Sequence, residues 1–332
     1  MSMRRLVTSD WQLDANPRDR YRLDFVTKTL PELIDKYKID QLLVLGDITE
    51  AKDNHPALLV NEIVQAFVQL SSKCEILILQ GNHDFQAKDH PFFQFLSQFK
   101  NIFWISGIFH KDNCLFLPHT RNYKQDWKNV DFEGHDFIFA HNIFTGVNTQ
   151  TGHALSGIPT TIFPEDSQVI SGDVHESQEL DNGKIVYVGS PTLCDFGDSY
   201  QPRVLLLDGL KMRSIKVYGQ NKRLISLDWA GGGMSKAAQS VNENDIVKIQ
   251  VQIQMTDVAK WAEIRQEVED WAIQNKFVIN TIAPVVAYDS GERQKIVKSV
   301  RKTDHQYVQS FVQRNGVDKE TADIGRELIE EN

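Results

Sequence analysis

Five times within its first 200 residues this chain runs through a short apolar stretch and, within two residues of its end, sets down an acid, an amide or an imidazole. Arg4–Thr8 ends at Ser9-Asp10-Trp11-Gln12, Gln41–Leu45 at Gly46-Asp47, and Ile76–Leu79 at Gly81-Asn82-His83-Asp84. Phe137–Ala140 delivers His141, and Val169–Gly172 delivers Asp173-Val174-His175. Short runs of β-branched and aliphatic residues between polar breaks read as buried strands. Helical spacing of Phe25, Leu30, Leu33, Ile34 and Tyr37 separates the first two. Leu59, Ile63, Phe67 and Leu70, behind a first-turn Pro56, separate the next two. This β-α-β-α-β order implies right-handed crossovers and parallel strands, with Asp10, Asp47 and Asn82-His83 on one carboxyl-end rim. Packing gives no reason for such repetition; a shared site does. Gly81 is read as the residue whose freedom at unusual φ lets Asn82 and His83 converge.

At 332 residues the chain exceeds one ordinary domain, and 41% hydrophobic with 24% charged residues describe a soluble globular protein. No apolar run is long enough for a membrane span, and the start has no signal-like apolar region. Cys74, Cys114 and Cys194 lack a paired spacing and read as reduced core thiols, so a cytoplasmic location is expected, the host's if the gene is a phage's. A net charge of −9 argues against indiscriminate binding to polyanions. It leaves room for a nuclease that needs carboxylates at its centre.

The later chain reads as shorter strands at Ile102–Ile105, Cys114–Leu117, Ile185–Val188 and Val204–Leu207, with a helix from about Pro91 to Phe99. Ala230–Ser235 is the linker candidate. Beyond it, Val247 to Met255 alternates apolar and polar, Trp261, Ile264, Val268 and Trp271 mark a helix face, and Phe277–Ala287 is another strand. A basic stretch, Arg293–Arg301, precedes helical segments, one stopped at Asn315-Gly316 and one begun at Asp318 with Ile324 and Leu328 inside. The expected division is a main domain over 1–225, an α+β cap over 236–290 and a helical tail over 291–332.

Two divalent ions about 3.5–4 Å apart can clamp a phosphate, activate a water and neutralise a leaving oxygen. Asp47 is placed to bridge them. Asp10 and His175 would complete one site, Asn82 and His141 the other; mixed oxygen and imidazole donors suit Mn2+. His83, adjacent to a ligand yet spare, would serve the leaving oxygen, with Asp84 orienting it.

The order Asp10, Gly46-Asp47, Gly81-Asn82-His83-Asp84, His141, Gly172-Asp173-Val174-His175 resembles the calcineurin-like metallophosphoesterase superfamily. Within it the chain is most similar to SbcD-type nuclease subunits, particularly short phage-encoded ones. Val188-Gly189-Ser190-Pro191 followed by Asp195-Phe196-Gly197-Asp198 agrees. The resemblance implies an α/β fold, a four-layer αββα sandwich with a small cap and a helical tail. It implies Asp10, Asp47 and His175 at one metal, Asp47, Asn82 and His141 at the other, and His83 as the catalytic histidine. It further implies 3′→5′ exonuclease and endonuclease activity on double-stranded DNA, a homodimer, and an SbcC-type ATPase partner docked by the segment from Thr303 onward. Two positions depart. Gln12 stands where the family has a histidine, and Asp173 replaces the first histidine of the late motif. As an oxygen ligand Asp173 keeps the second metal; Gln12 offers the first only a neutral carbonyl, which tilts the site toward Mn2+ or Mg2+ and away from Zn2+. Ser190 is a candidate phosphate contact. Arg18, Arg20 and Arg22, with Arg293, Lys295, Lys298, Arg301 and Lys302, are candidates for DNA contact where each alone would read as a solvated face. The alternatives are a phosphoesterase acting on nucleotides or phosphoproteins, and a scaffold weakened in catalysis by Gln12 and Asp173.

Overall fold

A computed structural model describes residues 2–86, 90–149, 152–229 and 241–287. The linker candidate at 230–235 and everything from 288 onward, including the basic stretch and the expected docking helices, lie outside the described residues.

Six strands form the first sheet: β1 (Arg4–Thr8), β2 (Gln41–Val44), β3 (Glu75–Leu79) and β4 (Ile102–Ile105) run parallel, and β11 (Arg203–Asp208) and β12 (Lys211–Lys216) close one side antiparallel, in the order β12-β11-β1-β2-β3-β4. The second sheet has the order β5-β6-β7-β8-β10-β9. Its strands are β5 (Phe109–Lys111), β6 (Cys114–Leu117), β7 (Phe137–His141), β8 (Val169–Gly172), β9 (Glu179–Leu180) and β10 (Ile185–Tyr187).

Continuous apolar strands are explained by where alternate side chains go. Leu6, Leu42, Val44, Ile76 and Ile78 face the helices, whereas Val7, Leu43, Leu77 and Leu79 face the second sheet. From the other side Phe116, Phe137, Phe139, Ile170 and Val186 fill the same inter-sheet layer. Both faces of the central strands are thus dry, and they stay largely apolar until the strand ends, whereas the edge strands β4, β5, β9 and β12 have exposed positions. Removing one of these rings, as in Phe139→Ala, would cost about 3–5 kcal/mol.

The outer layer on the first sheet is helical: α1 (Arg20–Asp24) and α2 (Leu30–Tyr37), joined through a π-helical turn at Phe25–Thr29, and α3 (Ala57–Ser71). The expected helix at Pro91–Phe99 is a tighter 3-10 segment, Phe92–Gln98. Over the second sheet the outer layer is mostly loop, with α4 (Tyr123–Asp126) and a 3-10 turn at Thr160–Ile162; Phe144, Phe163 and Trp127 cover Ile138 and Tyr187 there. The architecture is an α/β sandwich whose helices lie chiefly on one side.

A third, all-parallel sheet joins β13 (Lys222–Asp228), β14 (Ile246–Gln254) and β15 (Val278–Ala287). The helix α5 (Trp261–Gln274) covers one face through Ile264, Val268 and Ala272. Residue 225, expected as a domain limit, falls inside β13, whose alternation of Ile225 and Leu227 matches β14. Lys222 Nζ pairs with Asp19 at 2.7 Å and the Leu193 N–H donates to Asn221 Oδ1 at 3.1 Å, so β13 is tied to the main sandwich at its start. All three cysteines are buried and unpaired. Among the described residues no helix is long and apolar enough to cross a membrane.

Candidate metal centre

The strands deliver their polar residues through backbone that few side chains adopt. Asp10, Gln12, Asp47 and Asp173 all have positive φ, at 54°, 47°, 56° and 79°. Each such residue costs about 1–3 kcal/mol and persists only where its surroundings enforce it. Here the turn after β1 is laced to the turn after β2. The Asp10 N–H donates to the Gly46 carbonyl at 3.1 Å, Gln12 N–H to Asp47 O at 3.1 Å, and Leu13 N–H to Ile48 O at 2.9 Å. Gly81 is needed for space, not for the unusual φ read from the sequence: its φ lies outside the left-handed region, but a Cβ there would sit 2.3 Å from Asp47 Oδ1.

Asp10, Asp47 and His141 are fully buried, and a ligand atom from each lies within 4.8 Å of the others. His141 Nε2 stands 3.4 Å from Asp47 Oδ1 and 3.8 Å from Asp173 Oδ1. Its Nδ1 donates to the Leu45 carbonyl at 2.5 Å. A carbonyl can only accept, so the neutral ring carries its proton there and turns a bare Nε2 to the carboxylates, the way ligating imidazoles are held. One end of the Asn82 amide lies 3.2 and 3.1 Å from the two Asp47 oxygens and 2.9 Å from His141 Nε2. Amino side in, its two N–H groups are shared among these three acceptors; oxygen side in, it becomes a further lone pair beside them, stable only around a cation.

Charge and orphaned atoms support a cation. Burial drives the Asp10 carboxyl up to about 6, with His141 and His175 pulling it down and the Asp47 charge adding to the rise. Burial disfavours the His141 imidazolium, yet Asp47, Asp173 and Asp10 together take that ring up to about 9. The cluster therefore holds protons where it has an excess of negative charge. Among the described residues, the buried Asp10 Oδ2 and Gln12 Oε1 have no partner. Both are acceptors only, and burying such an atom unpaired is costly. Oxygen and imidazole donors of this kind fit a hard or borderline divalent ion.

The remaining expected residues are placed as follows. His175 is near enough to Asp10 to act on its charge; burial opposes its protonation, and the neighbouring Cys194 sulfur with the Asp10 and Asp198 charges outweighs this, raising it to about 10. Gln12 uses its amino group on Asp47 Oδ2 at 3.0 Å, leaving the carbonyl oxygen as its only possible ligand atom. His83 is half-buried at the edge of the cluster; its N–H donates to Asp47 Oδ1 at 2.9 Å, and its Nδ1 to the Glu50 carbonyl at 2.6 Å.

Three expectations are corrected. Asp84 does not orient His83: buried, it accepts from the N–H groups of Gly81 at 2.7 Å, Asp47 at 2.9 Å and Ile48 at 3.0 Å, binding the turns after β2 and β3 together. Burial, then the Asp47 charge, pushes it up to about 6. Ser190 is buried and gives its hydroxyl to the Asp10 carbonyl at 2.9 Å, so it shapes the site rather than meeting a phosphate. Arg22 is buried as well and is withdrawn from any DNA-contacting face, whereas Arg20 and Arg18 are exposed, beside Glu62 and Asn280. Sequence reasoning missed the carbonyls of Leu45 and Glu50, which carry no side-chain signal. It also left His119 without a role; its Nδ1 bonds with the His141 carbonyl at 3.2 Å, behind the ligating ring.

Residues 3–209 match the family model described as calcineurin-like phosphoesterase. The chain belongs to this family. A phosphoesterase-like protein (244L) of Invertebrate iridescent virus 6 is 26% identical over 211 residues, which is 55% of this chain and 68% of the viral protein. Among solved structures, the chain is similar to the Pseudomonas putida nuclease MPE, with 13% identity, a TM-score of 0.34, and coverage of 64% of this chain and 87% of that one. A zinc-complexed Vps29 from Entamoeba histolytica aligns with 12% identity and a TM-score of 0.27, over 65% and 98% of the two chains. Family membership makes the chain a hydrolase of the metallophosphoesterase type, with Asp10, Asp47 and His141 as the buried triad able to hold an ion.

Proposed function

We propose that the chain is an SbcD-type DNA nuclease subunit, cutting phosphodiester bonds with two divalent ions, Mn2+ before Mg2+. The observation that carries this is the position of His83 against the metal cluster. Its backbone N–H shares Asp47 with the buried triad, and its Nδ1 is committed to the Glu50 carbonyl. With Nδ1 so fixed, Nε2 is the ring nitrogen left to carry a second proton and pass it to a departing oxygen.

Asp10, Gln12, Asp47 and His175 would hold one ion and Asp47, Asn82, His141 and Asp173 the other; bound there, the pair supplies an activated water and charge neutralisation at the phosphate. The chain's own residues do the rest. Buried carboxylates keep bulk water from the ligand positions, Asp84 fixes the bridging Asp47, and His83 protonates the leaving group. By resemblance the same subunit would be a homodimer that degrades double-stranded ends 3′→5′ and nicks internally, gated by an SbcC-type ATPase in DNA repair or recombination. The segment from Thr303 would dock that ATPase.

End-labelled duplex DNA with Mn2+, with and without the ATPase, tests the reading by comparing wild type with His83→Ala. A drop of about 10²–10⁴-fold in cleavage rate is expected. Cleavage that ignores the substitution, or hydrolysis confined to phosphomonoesters, removes the nuclease assignment and leaves the broader phosphoesterase. Turnover with Zn2+ equal to that with Mn2+ removes the metal preference.

A further inference from the structure

The two halves of the centre are held by different buried groups. Asp84 braces the turns that carry Asp47 and Asn82. On the other side an arginine does this. We propose that Arg22 is a positioning residue for one half of the metal centre, the half made by Asp10, Gln12 and His175. The proposal rests on the metal-site reading above.

The Arg22 side chain is only 4% exposed. Nη1 donates to the Gln12 carbonyl at 2.5 Å and Nη2 to the Cys194 carbonyl at 2.7 Å, with Glu50 Oε2 at 3.4 Å from Nη1. The first of these carbonyls belongs to the turn in which Asp10 and Gln12 both have positive φ. The second belongs to the loop after β10, whose Ser190 N–H donates to the His175 carbonyl at 2.8 Å. One planar fork therefore joins the turn that presents Asp10 and Gln12 to the loop that holds His175. Ser190 repeats the link on a smaller scale, its Oγ lying 2.9 Å from the Asp10 carbonyl and 3.4 Å from Cys194 Sγ.

Stability alone is a poor reason for this arginine. Among the described residues its buried Nε has no partner, and its acid neighbour Glu50 is half-exposed. A buried charge so incompletely compensated is commonly matched or bettered by an apolar residue of similar volume. Geometry is the better reason, because a lysine ammonium cannot reproduce two parallel, fixed N–H directions. The charge itself has the opposite effect to the positioning: a nearby guanidinium repels a metal cation. Positioning predicts that removing Arg22 loosens one ion; charge predicts that it tightens both.

Calorimetric titration of the full chain with Mn2+ decides, using wild type, Arg22→Lys, Arg22→Met, and Arg22→Ala with and without methylguanidinium. Melting curves of each variant accompany the titrations. Two binding phases are expected in wild type. In Arg22→Lys and Arg22→Met one phase should weaken by about 10–100-fold, the usual cost of losing a group that holds a ligand, while the other stays within about 3-fold. Methylguanidinium should restore the lost phase in Arg22→Ala, which a denaturing additive would not do for a merely unstable variant. Equal weakening of both phases, tightening of both, or no change overturns the proposal while leaving the metal centre standing. A wild-type chain that binds no Mn2+ overturns the proposal together with the metal-site reading.

Discussion

The turn after β3 and the turn after β1 solve the same problem in opposite ways. Behind the first stands a buried anion, Asp84, accepting three backbone N–H groups. Behind the second stands a buried cation, Arg22, donating to two backbone carbonyls. An anion fits where a chain exposes N–H groups at a tight turn, and a cation fits where carbonyls are left over. Each holder matches the polarity of the backbone it meets. On the two-ion reading proposed above, a centre with one shared carboxylate need not be one mechanical unit, and its halves should loosen separately provided Asp47 is left alone.

That gives an order of experiments. Asp47→Ala removes the residue common to both halves and should lower Mn2+-dependent turnover of a simple phosphodiester by on the order of 10³-fold or more, since several kcal/mol of charge stabilisation disappear with the ions. If one metal phase survives intact, the halves are more independent than the geometry says. Asp84→Ala strands three buried N–H groups and should cost about 3–5 kcal/mol in denaturant unfolding of the chelated protein, with the ion nearest His141 lost first. A loss under 1 kcal/mol, in the range of an ordinary surface change, would mean the two turns hold without it.

Next comes pH. In the metal-free protein Asp10 and Asp84 are raised from 3.8 to about 6 and His141 from 6.5 to about 9. All three folded values lie above the unfolded ones, so the folded state binds the extra protons. Their contribution is complete below the unfolded values and is lost as pH rises through about 6 for the acids and about 9 for His141. Chelated protein should lose stability progressively across that range, and Mn2+ should flatten the slope. An unchanged slope with saturating Mn2+ would separate the titrating groups from the ions. Smallest is Ser190→Ala, expected to cost about 1 kcal/mol by freeing the Asp10 carbonyl and to act on the Arg22 half only. An equal effect on both metal phases would blur the division.

What the sequence revealed followed from what acts through side chains. Apolar runs buried on both faces made β1, β2, β3, β7 and β8 readable, and the acids and imidazoles at their ends stood out against them. Holders that work through a carbonyl, such as Leu45 and Glu50, were invisible because every residue has one. Arg22 carried a signal that was passed over: it lies one helical turn before Val26 and two before Leu30, both buried, so its position belongs to the apolar stripe. Three arginines at alternate positions were grouped as candidates for DNA contact, whereas Arg22 is turned inward and Arg18 and Arg20 stay exposed. Short edge strands such as β5 and β9 give too few residues for a period to show, and β12 is partly or fully exposed at every position, so it has no apolar run to read. β13 was hidden because its partner lies beyond the stretch read as a linker.

The left-handed backbone at four of the rim positions also narrows which residues this site can accept. Three of the four are aspartate, one of the few side chains that adopts such torsions with modest strain. Gln12 is the exception, too long to gain the local contacts that ease aspartate into this shape. Drift at this rim is thus confined to a small alphabet, and Gln12 is the position where a change of residue could ease the backbone as well as alter the donor.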